Sequence, residues 1–245
     1  MGIGTKSGIM AAAGAGIVYT NTRSLLFDGI NDYVDCGDNN NLSFGDGSSD
    51  SSFSISAWIK PDNAAKFRII FKFGSTLKEY FFQVANGKKL QMILNNNSGQ
   101  SIGRNGASNI PTTSWSHVAM TYNGSGNPSG IKIFLNGSLN NGNQITSGGT
   151  YTAMTNTSEP VQLGKFNTTY ADGRMDEVAI FNTSLFATDI SDIYNSGLPA
   201  DLSGYSSLVS WWRFEEGSGT TATDSGPGGN DGTINGAIYS VNIPS

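Results

Sequence analysis

The sequence predicts an all-β protein, a two-sheet antiparallel sandwich with one short helix. Three observations lead there. Apolar residues alternate with small or polar ones in successive runs, as in Leu25–Gly37 (LLFDGINDYVDCG) and Gly173–Asn182 (GRMDEVAIFN). Asp-Gly and Asn-Gly pairs punctuate those runs, where the backbone must take positive φ. Charged residues are only 13% of the 245, while glycine occurs 32 times. That composition suits short strands and polar turns over salt-bridged helices.

Leu25–Gly37 reads as a strand pair, with Asp28-Gly29 and Asn31-Asp32 supplying the turn residues. Asp38–Ser52 is a polar loop anchored by Leu42 and Phe44. Phe53–Lys60 sets Phe53, Ile55, Ala57 and Ile59 on one face, and Pro61 ends it because proline cannot donate to a ladder. Arg68–Phe73 and Tyr80–Ala85 follow, and Asn86-Gly87 turns the chain into Lys88–Leu94. Asn95–Asn105 reads as a loop. Trp115–Tyr122 (WSHVAMTY) alternates again, and Ile131–Leu135 ends at Asn136-Gly137. Val161–Gly164 and a polar connection lead to Gly173–Asn182. The helix is Thr183–Asn195, with Leu185, Ile190, Ile193 and Tyr194 at helical spacing and Gly197 as its stop. Leu208–Phe214 (LVSWWRF) and Ala237–Ile243 complete the strands. Residues 1–22, rich in alanine and glycine, read as an N-terminal arm ahead of one domain over 23–245.

A net charge of −5 without a Lys/Arg cluster argues against a nucleic-acid partner, which needs a basic patch. The single cysteine, Cys36, excludes an intramolecular disulfide framework and a cysteine-based zinc site. The first residues carry one lysine and no sustained apolar stretch, so no signal peptide is expected. No apolar run approaches a transmembrane span, and no membrane insertion is expected. Synthesis in the cytoplasm without general secretory export follows.

Taken together, FDGINDYVDCG, FSISAWIKP, WSHVAMTYNG with IKIFLNG, and GRMDEVAIFNTSLFATDISDIYNSG resemble the laminin G-like, concanavalin A-like jelly roll across Ser24–Gly197. The resemblance implies a jelly-roll sandwich. The tail departs from it: SLVSWWRFEEGSGTTATDSGPGGNDGTINGA resembles the segment that normally opens such a domain, yet follows the helix. A permuted domain accounts for this, with Leu208–Phe214 filling the position of an N-terminal strand; a truncated second domain would leave Trp211-Trp212 on an unpaired edge. Laminin G-like proteins with such a tail also resemble structural proteins of tailed bacteriophages. That likeness implies a non-enzymatic virion structural or decoration protein, made in the host cytoplasm and placed in the virion. Its partners would be other virion proteins or copies of itself, and it would attach to host-surface glycans. The alternative is a free carbohydrate-binding, lectin-like module.

Hydrolysis by the related glucanases needs two carboxylates on one strand face. Adjacent residues of a regular strand point to opposite faces, which rules out Glu215-Glu216 and Asp176-Glu177 as such a pair. His117, the only histidine, lies in mid-strand without a nucleophile elbow and reads as structural; Cys36 reads as a small buried hydrophobe. The resemblance implies one structural calcium ion, which takes hard oxygen ligands. Asp28, Asp32, Asp176, Glu177 and Asp224 are the candidates, with Asp28 and Asp32 serving equally well as turn caps. For a glycan, Trp115, Tyr122 and Tyr170 are the candidate aromatic faces, with Tyr80 also available, beside the loops 95–105 and 164–173. Trp58, Trp211 and Trp212 read as core.

Overall fold

The computed structural model describes residues 19–63, 67–85 and 87–245; most of the expected arm (1–18) and Asn86 lie outside them. The strands are β1 (Ser24–Asp28), β2 (Tyr33–Asp35), β3 (Phe53–Pro61), β4 (Phe67–Phe73) and β5 (Lys78–Val84). Next come β6 (Lys89–Asn95), β7 (Ser101–Asn109), β8 (Ser116–Tyr122), β9 (Ile131–Leu135) and β10 (Ser138–Leu139). Then follow β11 (Asn141–Ser147), β12 (Gln162–Leu163), β13 (Lys165–Phe166), β14 (Thr169–Tyr170) and β15 (Asp172–Phe181). After the helix α1 (Ala187–Tyr194) the chain adds β16 (Leu208–Trp212), β17 (Thr221–Ala222), β18 (Gly232–Asn235) and β19 (Ile238–Ser240).

Two antiparallel sheets form the expected sandwich. The eight-stranded sheet runs β10-β9-β8-β3-β15-β1-β19, with β16 also on β15, and the nine-stranded sheet runs β11-β7-β6-β5-β4-β12-β2-β18-β17. β15 organises the first. One side carries β3, while the other is shared, β1 pairing with Asp172–Met175 and β16 with Val178–Phe181. The tail therefore contributes β16 and β19 to one sheet and β17 and β18 to the other. Leu25, Phe27, Ile55, Phe82, Met92, Ile180 and Trp212 are among the buried side chains between the sheets.

The outer faces of the sheets differ. On the eight-stranded sheet, Ala119, Phe134, Ala179, Phe181 and Trp211 form a second core with Ile190 and Ile193 of the helix. The helix is shorter than Thr183–Asn195 because Ser54 Oγ donates to Thr183 O (2.7 Å) and accepts from Leu185 N (3.0 Å), holding that backbone extended. Asp189 Oδ2 accepts from the Phe186 amide at 2.8 Å and closes the first turn. The expected loop at 95–105 is instead a tight turn, Asn96 to Gln100, followed by strand β7. Among the described residues no helix is long and apolar enough to cross a membrane.

Gly173, where β15 passes β3, has φ +135°, and an added Cβ would press on the backbone of Lys60 and Asp62. We expect Gly173→Ala to lower the unfolding free energy by about 1–3 kcal/mol, measured by urea denaturation. An unchanged midpoint would show that the two strands can separate without cost.

Candidate functional site

The outer face of the nine-stranded sheet is built by a break in strand alternation. In β4, Phe67, Ile69 and Ile70 all enter the core, and the register with β5 shifts between Arg68 and Ile70. That β-bulge puts Arg68 and Phe71 on the same outward face. Across the next three strands Arg68 pairs with Gln83, Gln83 with Gln91, and Gln91 with Asn105. Their side chains form a hydrogen-bonded ladder. Arg68 Nη1 donates to Gln83 Oε1, Gln83 Nε2 to Gln91 Oε1 (2.8 Å), and Gln91 Nε2 to Asn105 Oδ1 (3.1 Å). Arg68 Nε also donates to Thr169 Oγ1 at 3.1 Å, and burial lowers its pKa.

An aromatic patch adjoins the ladder. Phe71 stacks on Phe81, with centroids 5.0 Å apart and planes at 3°, and Phe166 lies 5.1 Å from Phe71. Phe73 stands edge-on to both Phe81 and Phe166. The Arg68 guanidinium carbon is 5.7 Å from the Phe71 centroid, within cation–π range. Arg68, Phe71, Phe81, Gln83, Gln91 and Phe166 line a depression of about 390 Å³, within the size of small-ligand sites. Gln83 and Gln91 each use one donor and one acceptor in the ladder and keep another of each, while Asn105 uses one acceptor only. Planar amides beside aromatic faces can bind a solute with alternating hydroxyls and C–H faces.

The three expected glycan aromatics fall at three places. Trp115 is half-buried and donates from Nε1 to Asn242 Oδ1 (2.9 Å), in a cleft of about 350 Å³ with Trp58, Lys60 and Tyr194. Tyr170 lines a small edge cleft with Gly29, Thr169 and Asp172. Tyr122 is a core residue with no exposed surface; its hydroxyl donates to Asp50 Oδ2 at 2.7 Å, so it offers no face to a ligand. Tyr80 is likewise buried and donates to Leu42 O. His117 is fully buried beside Ser56 Oγ (2.8 Å), and desolvation lowers its pKa to about 3. Cys36 is buried, which pushes its thiol up.

The five expected calcium ligands are also dispersed. Asp28 accepts from Ile30 N (2.8 Å) and Asp32 from Asp28 N (2.9 Å), both as turn caps. Asp224 accepts from the amides of Trp211, Gly226 and Asn230. Among the described residues no three acidic, histidine or cysteine side chains converge as a metal site, and the five do not fit as one calcium donor set.

Asp176 and Glu177 do not point to opposite faces. Met175 and Val178 both enter the core, the register shifts between Asp176 and Ala179, and Glu177 has φ +51°. The bulge turns both carboxylates to the outer face, where Tyr19 and Trp211 donate to Glu177 and Asn21 donates to Asp176. Tyr19 also stacks on Trp211 at 6.0 Å, so the last residues of the expected arm are docked on the sandwich. Glu177 is 4% exposed and Asp176 0%. Burial raises Glu177 from 4.5 to about 7, against the Tyr19 hydrogen bond and the Arg213 charge. Burial, then the Glu177 charge, push Asp176 well above the carboxylate range. A carboxyl raised in the folded state stabilises fully below its unfolded value, and that contribution is lost as pH rises through the folded value. We therefore expect stability to fall between about pH 4.5 and about 7. Urea titrations at several pH values should show a flatter fall for Glu177→Gln; an identical slope would assign the dependence elsewhere.

The profile of the laminin G-like family, described as Concanavalin A-like lectin/glucanases superfamily, matches residues 28–191. No curated protein matches the sequence. Among solved structures, the chain is similar to a Bacteroides ovatus protein assigned to carbohydrate binding, with TM-score 0.64 and 17% identity. The match covers 92% of this chain and 62% of that one, so this chain spans about three fifths of its length. A pentraxin from Limulus polyphemus is similar over 71% of this chain and 82% of its own, with 12% identity and TM-score 0.49. Domain 4 of an arabinanase from Geobacillus stearothermophilus, in complex with arabinotriose, is similar over 70% of this chain and 76% of its own, with 17% identity and TM-score 0.47. With the family profile spanning most of the sandwich, this chain belongs to the laminin G-like family of the Concanavalin A-like lectin/glucanases superfamily.

Proposed function

We propose that this chain is a non-enzymatic carbohydrate-binding module whose ligand lies on the outer face of the nine-stranded sheet. The observation that carries this reading is the adjacency of the Arg68–Gln83–Gln91–Asn105 ladder and the Phe71–Phe81–Phe166 patch. The ladder supplies donors and acceptors for sugar hydroxyls, and the half-buried rings of Phe81 and Phe166, backed by the buried Phe71, supply a surface for the apolar face of a pyranose or furanose. Membership of a lectin-like family supports the ligand class. Catalysis has no place in the reading, because the Asp176–Glu177 carboxylate pair is buried under Tyr19 and Trp211. Calcium has none either.

The virion structural role implied by the phage-like tail uses the same face differently, as a contact with another virion protein or a second copy. It predicts self-association that added sugar does not alter. The glycan reading predicts binding in a glycan array when the protein is displayed multivalently, since single sugar sites are weak. Binding should survive chelation. Phe81→Ala and Gln91→Ala should each weaken it at least tenfold, ~1.4 kcal/mol, while Trp115→Ala leaves it unchanged. Binding abolished by Trp115→Ala and retained by Phe81→Ala would move the site to the other sheet.

A further inference from the structure

Lys72 is fully buried on β4, an unusual place for an ammonium. Its Nζ lies 2.7 Å from Asp38 Oδ1 and 3.1 Å from Glu79 Oε1. The carbonyl oxygens of Thr157 and Glu159 are 3.1 and 2.7 Å away. Four oxygens thus compete for three hydrogens. Glu79 is also fully buried. Its Oε1 accepts from the Thr157 amide (2.7 Å) and hydroxyl (2.9 Å), while Oε2 is buried with no hydrogen-bond partner. Burial raises the Glu79 carboxyl, opposed by the Lys72 charge. Asp38 is the outermost member, its side chain 35% exposed.

We propose that Lys72 and Asp38 condense to an intramolecular amide, with Glu79 as the base. Holding an ammonium between two carboxylates in this setting is costly, and a neutral amide beside a neutral Glu79 carboxyl removes the cost. Asp38 takes one proton from solvent on its exposed side, which makes its carboxyl carbon open to attack. Glu79 accepts a proton from Lys72 Nζ and keeps it. The two hydrogens left on the amine satisfy the Thr157 and Glu159 carbonyls, and its lone pair attacks the Asp38 carboxyl carbon. The C–N bond forms, the Asp38 C–OH bond breaks, and the departing hydroxyl takes the second nitrogen proton. Ammonium, carboxylic acid and carboxylate become one amide, one water and one carboxylic acid, with no oxidant or cofactor required. The water leaves on the exposed side of Asp38. Such a bond ties positions 34 residues apart, joining the segment after β2 to β4 and restricting the unfolded chain. It stands independently of the glycan reading.

Intact mass spectrometry of the purified folded protein tests this, followed by digestion after lysine and fragmentation of the peptides. The expected result is a chain lighter by one water, no cleavage after Lys72, and a branched peptide joining Asp38 to Lys72. Lys72→Arg and Asp38→Ala should restore the full mass, and Glu79→Gln should leave the two side chains unjoined. Either the full sequence mass or a linear peptide ending at Lys72 in the unmutated protein would overturn the proposal. Dehydration at an Asp-Gly pair such as Asp46-Gly47 gives the same lost water but leaves Lys72 cleavable, and it too would overturn the proposal. Because the unmutated protein decides, a variant that fails to fold does not obscure the answer.

Discussion

Strand alternation, and the places where it breaks, determines which side chains this sandwich buries and which it presents. A regular strand sends successive residues to opposite faces, and a single extra residue reverses everything beyond it. In β4 the break at Ile69 and Ile70 places Arg68 and Phe71 together on the outside. In β15 the break at Asp176 and Glu177 turns both carboxylates toward Tyr19 and Trp211. The ladder, the aromatic patch and the buried acid pair all follow from these two offsets.

The two sheets use their outer faces in different ways. The eight-stranded sheet carries the helix and a second apolar core, and the acid pair beneath residues 19–21 adds polar pinning to that side. The nine-stranded sheet carries phenylalanines and planar amides on its outer face instead. Arg68 and the amides are held by one another before any ligand arrives, so little side-chain entropy remains to be lost on binding. Preorganisation of this kind suits recognition of a flexible, hydroxyl-rich chain.

Much of the fold was legible in the sequence because buried strands leave a period-two signal and turns leave Asp-Gly and Asn-Gly. FSISAWIK and WSHVAMTY fell where expected. Strand β7 was not legible: SIGRNGASN is polar and glycine-rich, and its pairing comes from β6 and β11 rather than from its own pattern. The helix began late because a distant hydroxyl, Ser54, captured the backbone at 183 and 185. The candidate site was hidden for a related reason. Arg68, Gln83, Gln91 and Asn105 become neighbours only through register, and strand phenylalanines read as core. The available clue was Phe81-Phe82 in KEYFFQV, where apolar groups occupy both faces of one strand. Tyr122 shows the converse, an aromatic chosen for its type that the alternation of β8 sends inward.

The most direct measurement is an NMR titration of the folded protein with an oligosaccharide selected by the glycan array, following backbone and side-chain amides. The account predicts that the largest shifts fall on the Gln83, Gln91 and Asn105 side-chain amides and on the backbone of β4 to β6. Shifts centred on the indole of Trp115 and on Asn242, with the ladder silent, would contradict it.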